Sequence, residues 1–275
     1  TEEEMIRAVE AAASLGIKKV RITGGEPLIK KNVLSICQKV AEIGGIEKVC
    51  LTTNGVLLSQ LAQPLKEAGV KSVNISLDTL NREKFQYLTR MGSFEDVWNG
   101  FLKALEVGFE KVKINTVLIG GFNDDEISEL ANLTREYPVD VRFIELMPMY
   151  DGGDFGPEAL IPYSVVLEKL PELLPVKKEE GVAKLYRFSD GKGNVGLISP
   201  INSDFCGSCN RLRLTADGNL KPCLHAREEF PIKGMDFAGM AEQMKRAIGA
   251  KPACHGELSY ENRSRAGRLM NEIGG

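Results

Sequence analysis

The sequence predicts an α/β fold: an open or partial parallel barrel followed by a C-terminal extension. Three observations carry this reading. Strand and helix patterns alternate from Gly16 to about Asp151. The strands set an apolar face against a polar one. The alternation then breaks at a glycine- and proline-rich stretch, YDGGDFGPEALIP, that begins at Tyr150. Strands alternating with helices at this spacing build βα units and a parallel sheet.

The elements follow in order. TEEE reads as a capping box, with Thr1 as the cap and Glu4 reaching back. Met5, Val9 and Ala12 then repeat at helical spacing until Gly16 ends the run. The first residue is already at a helix start, so a further segment ahead of Thr1 is expected. Strands read as KKVRIT, EKVCLTT, SVNISLD, KVKINTVLI and DVRFIELM. Helical patterns lie near 31–43, 57–68, 94–107 and 124–135, several closed by glycine at Gly44, Gly69 and Gly108. Beyond Asp151 come a short helix around Tyr163 to Leu170 and two strands, KLYRFS and NVGLIS.

Composition bounds the function. The chain has 275 residues, long enough for one large α/β domain or for a domain with an extension. Its 35 basic and 38 acidic residues leave a net charge of −3, which argues against a nucleic-acid binder. No apolar run has membrane-spanning length and nothing resembles a signal peptide. The six cysteines are too sparse for a disulfide scaffold, and three of them cluster, which suggests metal in a reducing compartment.

The strand faces separate a closed core from a ligand site. One parity is apolar: Val20 and Ile22, Val49 and Leu51, Val73, Ile75 and Leu77, Val112 and Ile114, Val141 and Phe143. The other holds Arg21 and Thr23, Thr52, Asn74, Ser76 and Asp78, Lys113 and Asn115, and Arg142. A doubly wound sheet would be apolar on both faces, and a filled barrel aliphatic inside. A polar interior with an apolar exterior fits a partial barrel with a ligand in its lumen; solvent-facing strands are the plainer alternative. Arg21, Lys113 and Arg142 on three separate strands call for an anion, and a polyphosphate would satisfy them. TGGEP, TTNG, SLD and ELMP sit at the carboxyl ends of strands, where parallel barrels place their active sites. Gly24 and Gly25 permit close backbone approach there, and Glu26 can accept from an amine.

The second cluster of signals is CGSCNRLRLTADGNLKPC, Cys206 to Cys223. Cys206 and Cys209 form a C-x-x-C knuckle. A hairpin turning at Asp217-Gly218 would return Cys223 to it. Spacing leaves two readings open: zinc completed by His225 or Cys254, or a [4Fe–4S] cluster on three thiolates with one iron free. Arg211 and Arg213 beside an open iron would attract an anion. Cys37 and Cys50 read as small buried residues.

Taken together, RITGGEPL, LTTNGVLL, VNISLDTL, KINTVLIGGFND, RFIELMPM and FCGSCNRLRLTADGNLKPCL resemble the GTP 3′,8-cyclase family of the radical SAM superfamily, enzymes of molybdenum cofactor biosynthesis. The resemblance implies an incomplete (βα)6 barrel of the TIM type with a C-terminal iron–sulfur extension. Residues 1–150 would form the partial barrel, lacking its first strand and first cluster loop. Residues 151–275 would carry the second cluster and a Gly-Gly tail, Gly274-Gly275, that inserts into the site. A radical derived from S-adenosyl-L-methionine would abstract the ribose C3′ hydrogen of GTP, and C3′ would then join guanine C8. Gly25, Glu26, Ser76 and Met147 would contact S-adenosylmethionine, with Glu26 at its amine. Arg21, Thr52, Lys113 and Arg142 would hold GTP, chiefly its triphosphate, with the span Arg211, Leu212 and Arg213 against the substrate. Cys206, Cys209 and Cys223 would bind one [4Fe–4S] cluster, whose open iron meets the guanine. A C-x-x-x-C-x-x-C motif for the other cluster is expected ahead of Thr1. No residue is assigned as a catalytic acid or base. The resemblance further implies a homodimer, hand-over of product to cyclic pyranopterin monophosphate synthase, and a cytoplasmic location, mitochondrial in a eukaryote. Two rivals remain: a twin-cluster radical SAM enzyme acting on a peptide, and a zinc-stabilised nucleotide-binding barrel without catalysis.

Overall fold

The structure is a computed structural model that describes residues 1–90, 92–149, 155–177, 181–201, 206–256, 258–264, 266–268 and 273. The expected Gly274-Gly275 tail lies outside the described residues. Helix α1 (Glu2–Ser14) starts with the capping box: Thr1 Oγ1 accepts the Glu4 N–H, and the Glu4 carboxylate accepts from the amino terminus. After it come β1 (Lys19–Ile22), α2 (Val33–Glu42), β2 (Lys48–Thr53), α3 (Leu58–Glu67), β3 (Val70–Ser76), α4 (Arg82–Thr89), α5 (Phe94–Val107), β4 (Lys111–Leu118), α6 (Ile127–Glu136) and β5 (Val139–Glu145). The chain continues through α7 (Ser164–Lys169), β6 (Leu174–Pro175), β7 (Lys184–Arg187) and β8 (Val195–Ile198). It closes with β9 (Arg213–Leu214), β10 (Asn219–Lys221), β11 (Phe230–Pro231) and α8 (Phe237–Gly249).

Eight strands form one sheet in the order β1-β2-β3-β4-β5-β8-β7-β6. The first six run parallel, and β7 and β6 add on antiparallel. The order is linear, so the described sheet is an open barrel wall with helices on its outer face. The first five parallel strands are those read from the alternation. The sixth, β8, comes from beyond residue 151 and joins the main sheet rather than only leading to the cysteines. Its physical reason is plain: all four residues of VGLI are buried, as a strand inside a parallel sheet requires.

The apolar parity builds the core. Val49, Leu51, Val73, Ile75, Val112, Ile114, Val141 and Phe143 join Leu58, Leu65, Phe101 and Leu130 of the helices in one buried cluster. Non-directional burial of this kind supplies the main stabilisation, about 25 cal/mol for each Å² of apolar surface removed from water. A second, smaller core lies apart: Ala8 and Ala11 of α1, Leu220 of β10, Ile232, and Met240, Met244 and Ala247 of α8. It is reinforced by Glu4, which accepts from the Gly234 N–H, and by Arg7, which donates to the Met235 carbonyl. The first and last helices therefore pack on each other, and α8 backs the β10–β11 edge of the cysteine hairpin.

Two helices have no counterpart in the sequence reading. Helix α4 is short and polar, signalled only by its cap: Asn81 Oδ1 accepts from the Glu83 and Lys84 N–H groups. Helix α8 has Asp236 as cap and buries three residues on one face.

Helices α3 and α5 pack so closely that a Cβ on Gly100 would sit 2.4 Å from the Gly55 carbonyl oxygen and 3.0 Å from Leu58 Cβ. Gly→Ala inside a helix ordinarily stabilises by about 1 kcal/mol. Here the sign reverses: Gly100→Ala should destabilise by about 1–3 kcal/mol, as overpacking does, read as a lower midpoint in urea unfolding.

Candidate active site in the lumen of the sheet

Strand register stacks the inward residues in layers. Arg21 pairs with Cys50, and Cys50 with Ser72. One step nearer the carboxyl ends, Thr52, Asn74, Lys113 and Asp140 follow one another across four strands. The next layer is Ser76, Asn115, Arg142 and Gly196. The structure thus places Arg21, Thr52, Ser76, Lys113 and Arg142 on a single wall, as their common parity predicts.

That wall is electrostatically unbalanced. Burial first, and then Arg142, Arg21 and Lys19, bring the Lys113 ammonium down to about 7. Burial lowers Arg142 to about 10, with Arg21 and Arg211 adding to the effect and Asp140 opposing it. Burial also lowers Arg21, which donates through Nη1 to the Leu51 carbonyl and Thr52 Oγ1, both at 3.2 Å. Asp140, the one carboxylate in these layers, is already committed to Lys111 at 2.9 Å and to the Asn194 side chain at 2.9 Å. Near the mouth, burial pushes the Asp78 carboxyl up to about 6, although the Val117 N–H donates to it at 2.7 Å. Among the described residues, six buried side-chain polar atoms have no hydrogen-bond partner, and four of them face this lumen: Ser72 Oγ, Asn74 Oδ1, Asn115 Oδ1 and Arg142 Nε. Gly196 leaves room for one of them, since a Cβ there would lie 3.1 Å from Arg142 Cγ.

Lys19, at the start of β1 and on the parity of Arg21, belongs to the same set. Partial burial holds its ammonium below the ordinary value, and Arg21, Lys48 and Arg142 act in the same direction. The sequence reading missed it, though the alternation that marked Arg21 also marks Lys19.

The mouth residues are held by their loops. Glu26 joins the loops after β1 and β2: Oε1 accepts from Thr53 Oγ1 at 2.7 Å and from the Leu28 N–H at 3.0 Å, and Oε2 from the Asn54 N–H at 2.6 Å. It is therefore a brace between strands, and Oε2 keeps capacity for a further donor. Gly25 is exposed in this loop, and a Cβ there would meet nothing within 4 Å. Ser76 ends β3, and half-buried Met147 follows β5 at the same edge.

The cysteine hairpin hangs over this wall. Cys206 and Cys209 lie in a 3₁₀ turn closed by the Cys209 N–H donating to the Cys206 carbonyl at 3.0 Å. Strand β9 starts four residues later and pairs with β10 through Arg213 and Lys221, turning at Gly218 with φ +90°. Beyond that pair, Lys251 Nζ donates to the Arg211 and Pro222 carbonyls at 2.9 and 2.8 Å, which keeps the segment bearing Cys223 beside the one that follows Cys209. All three thiols are free and half-buried. Burial lowers Arg213 to about 10, with Arg211 adding to it, while Cys209 and Cys223 are near enough to oppose the shift. Arg211 also depresses Arg21 and Arg142 across the gap, so the hairpin faces the cationic wall. Among the described residues no three His, Cys, Asp or Glu side chains are gathered tightly enough for a single metal ion. A four-iron cluster is wider than one ion and suits three soft thiolates without a fourth protein ligand, so the donor set fits it. Cys37 and Cys50 are buried as expected, and burial pushes the Cys37 thiol up to about 11.

Comparison with known proteins agrees with this geometry. Residues 1–134 match the Radical SAM superfamily, and residues 139–256 match Molybdenum Cofactor Synthesis C. The chain is 43% identical over 281 residues to the GTP 3′,8-cyclase of Alkaliphilus oremlandii, covering all of this chain and 87% of that one. The chain belongs to the GTP 3′,8-cyclase family. Identity is 44% to the Moorella thermoacetica member, over 99% of this chain and 86% of that one. It is 46% to the Peptoclostridium acidaminophilum member, over 100% and 85%. Among solved structures, Streptococcus suis SuiB bound to S-adenosylmethionine superposes with a TM-score of 0.59 at 15% identity, covering 82% of this chain and 53% of that one; this similarity speaks to the fold. A radical SAM family implies a [4Fe–4S] cluster and S-adenosylmethionine. Among the described residues no helix is long and apolar enough to cross a membrane.

Lys113 titrates far below an unfolded lysine, so the unfolded chain holds more protons and stability rises with pH from about 7 upward. Replacing it with an apolar side chain removes that cost. Lys113→Met should raise the Tm of the nucleotide-free chain at pH 7, by about 2–4 °C for each kcal/mol recovered. A lower Tm at pH 7 would show that the ammonium is compensated.

Proposed function

We infer that this chain is the body of a GTP 3′,8-cyclase, joining ribose C3′ of GTP to guanine C8 in molybdenum cofactor biosynthesis. The observation that carries it is the lumen wall: Arg21, Lys113 and Arg142, with the more exposed Lys19 at its edge, share one parity, and the carboxylate in their layers, Asp140, is committed to Lys111. A compact polyanion is the ligand that relieves this, and a triphosphate supplies it on a nucleoside. Bound cluster and S-adenosylmethionine would supply the radical that starts the reaction.

In this reading Arg21, Thr52, Lys113, Arg142 and the additional Lys19 grip the triphosphate through charge-assisted hydrogen bonds. Arg211, Leu212 and Arg213 close over the nucleoside from the hairpin. Gly25, Glu26, Ser76 and Met147 receive S-adenosylmethionine at the mouth, with its amine at Glu26 Oε2. Cys206, Cys209 and Cys223 would hold a [4Fe–4S] cluster, which would offer a coordination site for the guanine. The cationic residues anchor the phosphates while the hairpin covers the nucleoside, which orders C3′ and C8 for bond formation. A peptide substrate would have little use for this cage. The division near residue 150 is one of role, since β8 belongs to the sheet of the first part. A homodimer, hand-over to cyclic pyranopterin monophosphate synthase and a cytoplasmic or mitochondrial location complete the reading.

Phosphate raises the Lys113 ammonium from its free value of about 7. GTP binding should therefore take up a proton above pH 7, with affinity full below pH 7 and falling as pH rises. Calorimetry in buffers of different ionisation enthalpy counts that proton, and Lys113→Arg should abolish the uptake. Lys113→Ala and Arg142→Ala should each weaken GTP binding by about 1.5–3 kcal/mol; unchanged affinity in both removes the cage assignment.

Cys209→Ser should lose the iron and labile sulfide of the hairpin cluster while the unfolding of the barrel stays unchanged. Stoichiometric zinc without labile sulfide in the parent chain would replace the cluster with a structural metal.

A further inference from the structure

We propose that two buried carboxylates, Glu126 and Glu145, are positioning residues that hold the mouth loops in the shape S-adenosylmethionine requires. The proposal rests on the placement of that ligand at Ser76 and Met147 given above, and deepens it.

Glu126 follows β4, yet its donors come from the loop after β3. Thr79 Oγ1 donates to both of its oxygens, at 2.7 and 2.8 Å. The Leu80 and Asn81 N–H groups donate to Oε2, at 2.7 and 3.2 Å, and Lys84 Nζ lies 3.0 Å from Oε1. The segment so gripped begins three residues beyond Ser76. Asn123, in the same turn, adds to the brace by donating to the Asp78 and Val117 carbonyls at 2.7 and 2.8 Å.

Glu145, at 1% exposure, ends β5 two residues before Met147. Its Oε1 accepts from the Tyr163 N–H at 2.9 Å, and its Oε2 from Ser199 Oγ at 2.6 Å. It ties the exit of β5 to the exit of β8 and to the start of α7. Glu26 does the same for β1 and β2. Three carboxylates therefore staple the strand exits in pairs: β1 with β2, β3 with β4, and β5 with β8.

The chemistry of each staple makes the proposal specific. A buried carboxylate is tolerated only when several donors satisfy it, and a satisfied network fixes one loop geometry. A glutamine at 145 can still accept from the Tyr163 N–H and donate to the Ser199 hydroxyl, which works either way. A glutamine at 126 turns an amide N–H₂ towards the Lys84 ammonium or towards backbone donors, and one partner is lost. A role limited to packing would not separate these two substitutions.

The test measures S-adenosylmethionine and GTP affinity separately on the cluster-loaded enzyme, and amide hydrogen exchange on the same variants. Glu126→Gln and Glu145→Ala should each weaken S-adenosylmethionine binding about tenfold, equivalent to 1.4 kcal/mol, with GTP affinity unchanged. Glu145→Gln should bind both ligands as the parent does. Exchange should quicken at Leu80 and Asn81 in Glu126→Gln and at Tyr163 in Glu145→Ala, while Leu51 and Ile114 in the sheet keep their protection. Where Glu145→Ala or Glu126→Gln exposes the core amides, the milder Ser199→Ala and Thr79→Val carry the test, with a smaller loss confined to S-adenosylmethionine. Ser76→Ala and Met147→Ala serve as controls. If they weaken S-adenosylmethionine binding and the glutamate variants do not, the staple proposal is overturned alone. If the controls change nothing, the ligand placement itself fails. Equal losses of both ligands in the glutamate variants would reduce Glu126 and Glu145 to general scaffolding.

Discussion

Like charge facing like charge across the lumen is the constraint around which this molecule is organised. Lys113 and Arg142 sit in adjacent layers, half-buried, with Arg21 on the far strand acting on both. The nearby carboxylate, Asp140, offsets this only in part, because it also holds Lys111 and Asn194. Such a wall stands only because the opposite face of the same strands is so thoroughly apolar and buried. The outer core stabilises what the inner face destabilises, and a strained interior at a ligand site is the expected form of that compromise.

The hairpin extends the same logic into the second part of the chain. Arg211 acts on Arg21 and Arg142, and Arg213 feels Arg211, Cys209 and Cys223 together. Positive charge on the strands and positive charge on the hairpin are thus within reach of one another. Two acids of the hairpin region are spent elsewhere: Glu229 and Asp217 take Arg268, and Glu229 also meets the fully buried Lys221. Strands and hairpin accordingly contribute to one positive field.

Much of this was legible in the chain. Period-two alternation on strands gave the layers directly, because parity survives any uncertainty of a residue or two at a strand end. Arg21, Lys113 and Arg142 share that parity, so their common face follows from position alone. The capping box at Thr1 and the Asp217-Gly218 turn were readable because their chemistry is local. Helix α4 was not, since an eight-residue polar helix buries only Phe85 and has almost no periodic signal. Glu126 and Glu145 were invisible for a different reason. Their donors lie 42 to 54 positions away or come from unremarkable backbone, so no spacing rule marks them. The membership of β8 in the main sheet was similarly a matter of tertiary pairing, although its unbroken apolar run hinted at burial.

The smaller core has a bearing on how the protein comes into being. Its two walls are α1 and α8, the first helix described here and the last, with 222 residues of chain between Ser14 and Phe237. Chain emerges from the ribosome from one end only, so Met5, Ile6 and Val9 of α1 can settle on the main core early, while Ala8 and Ala11 gain their α8 partners last. Leu220 of β10 lies in the same cluster, so the thiol-bearing hairpin acquires its backing at that late step as well.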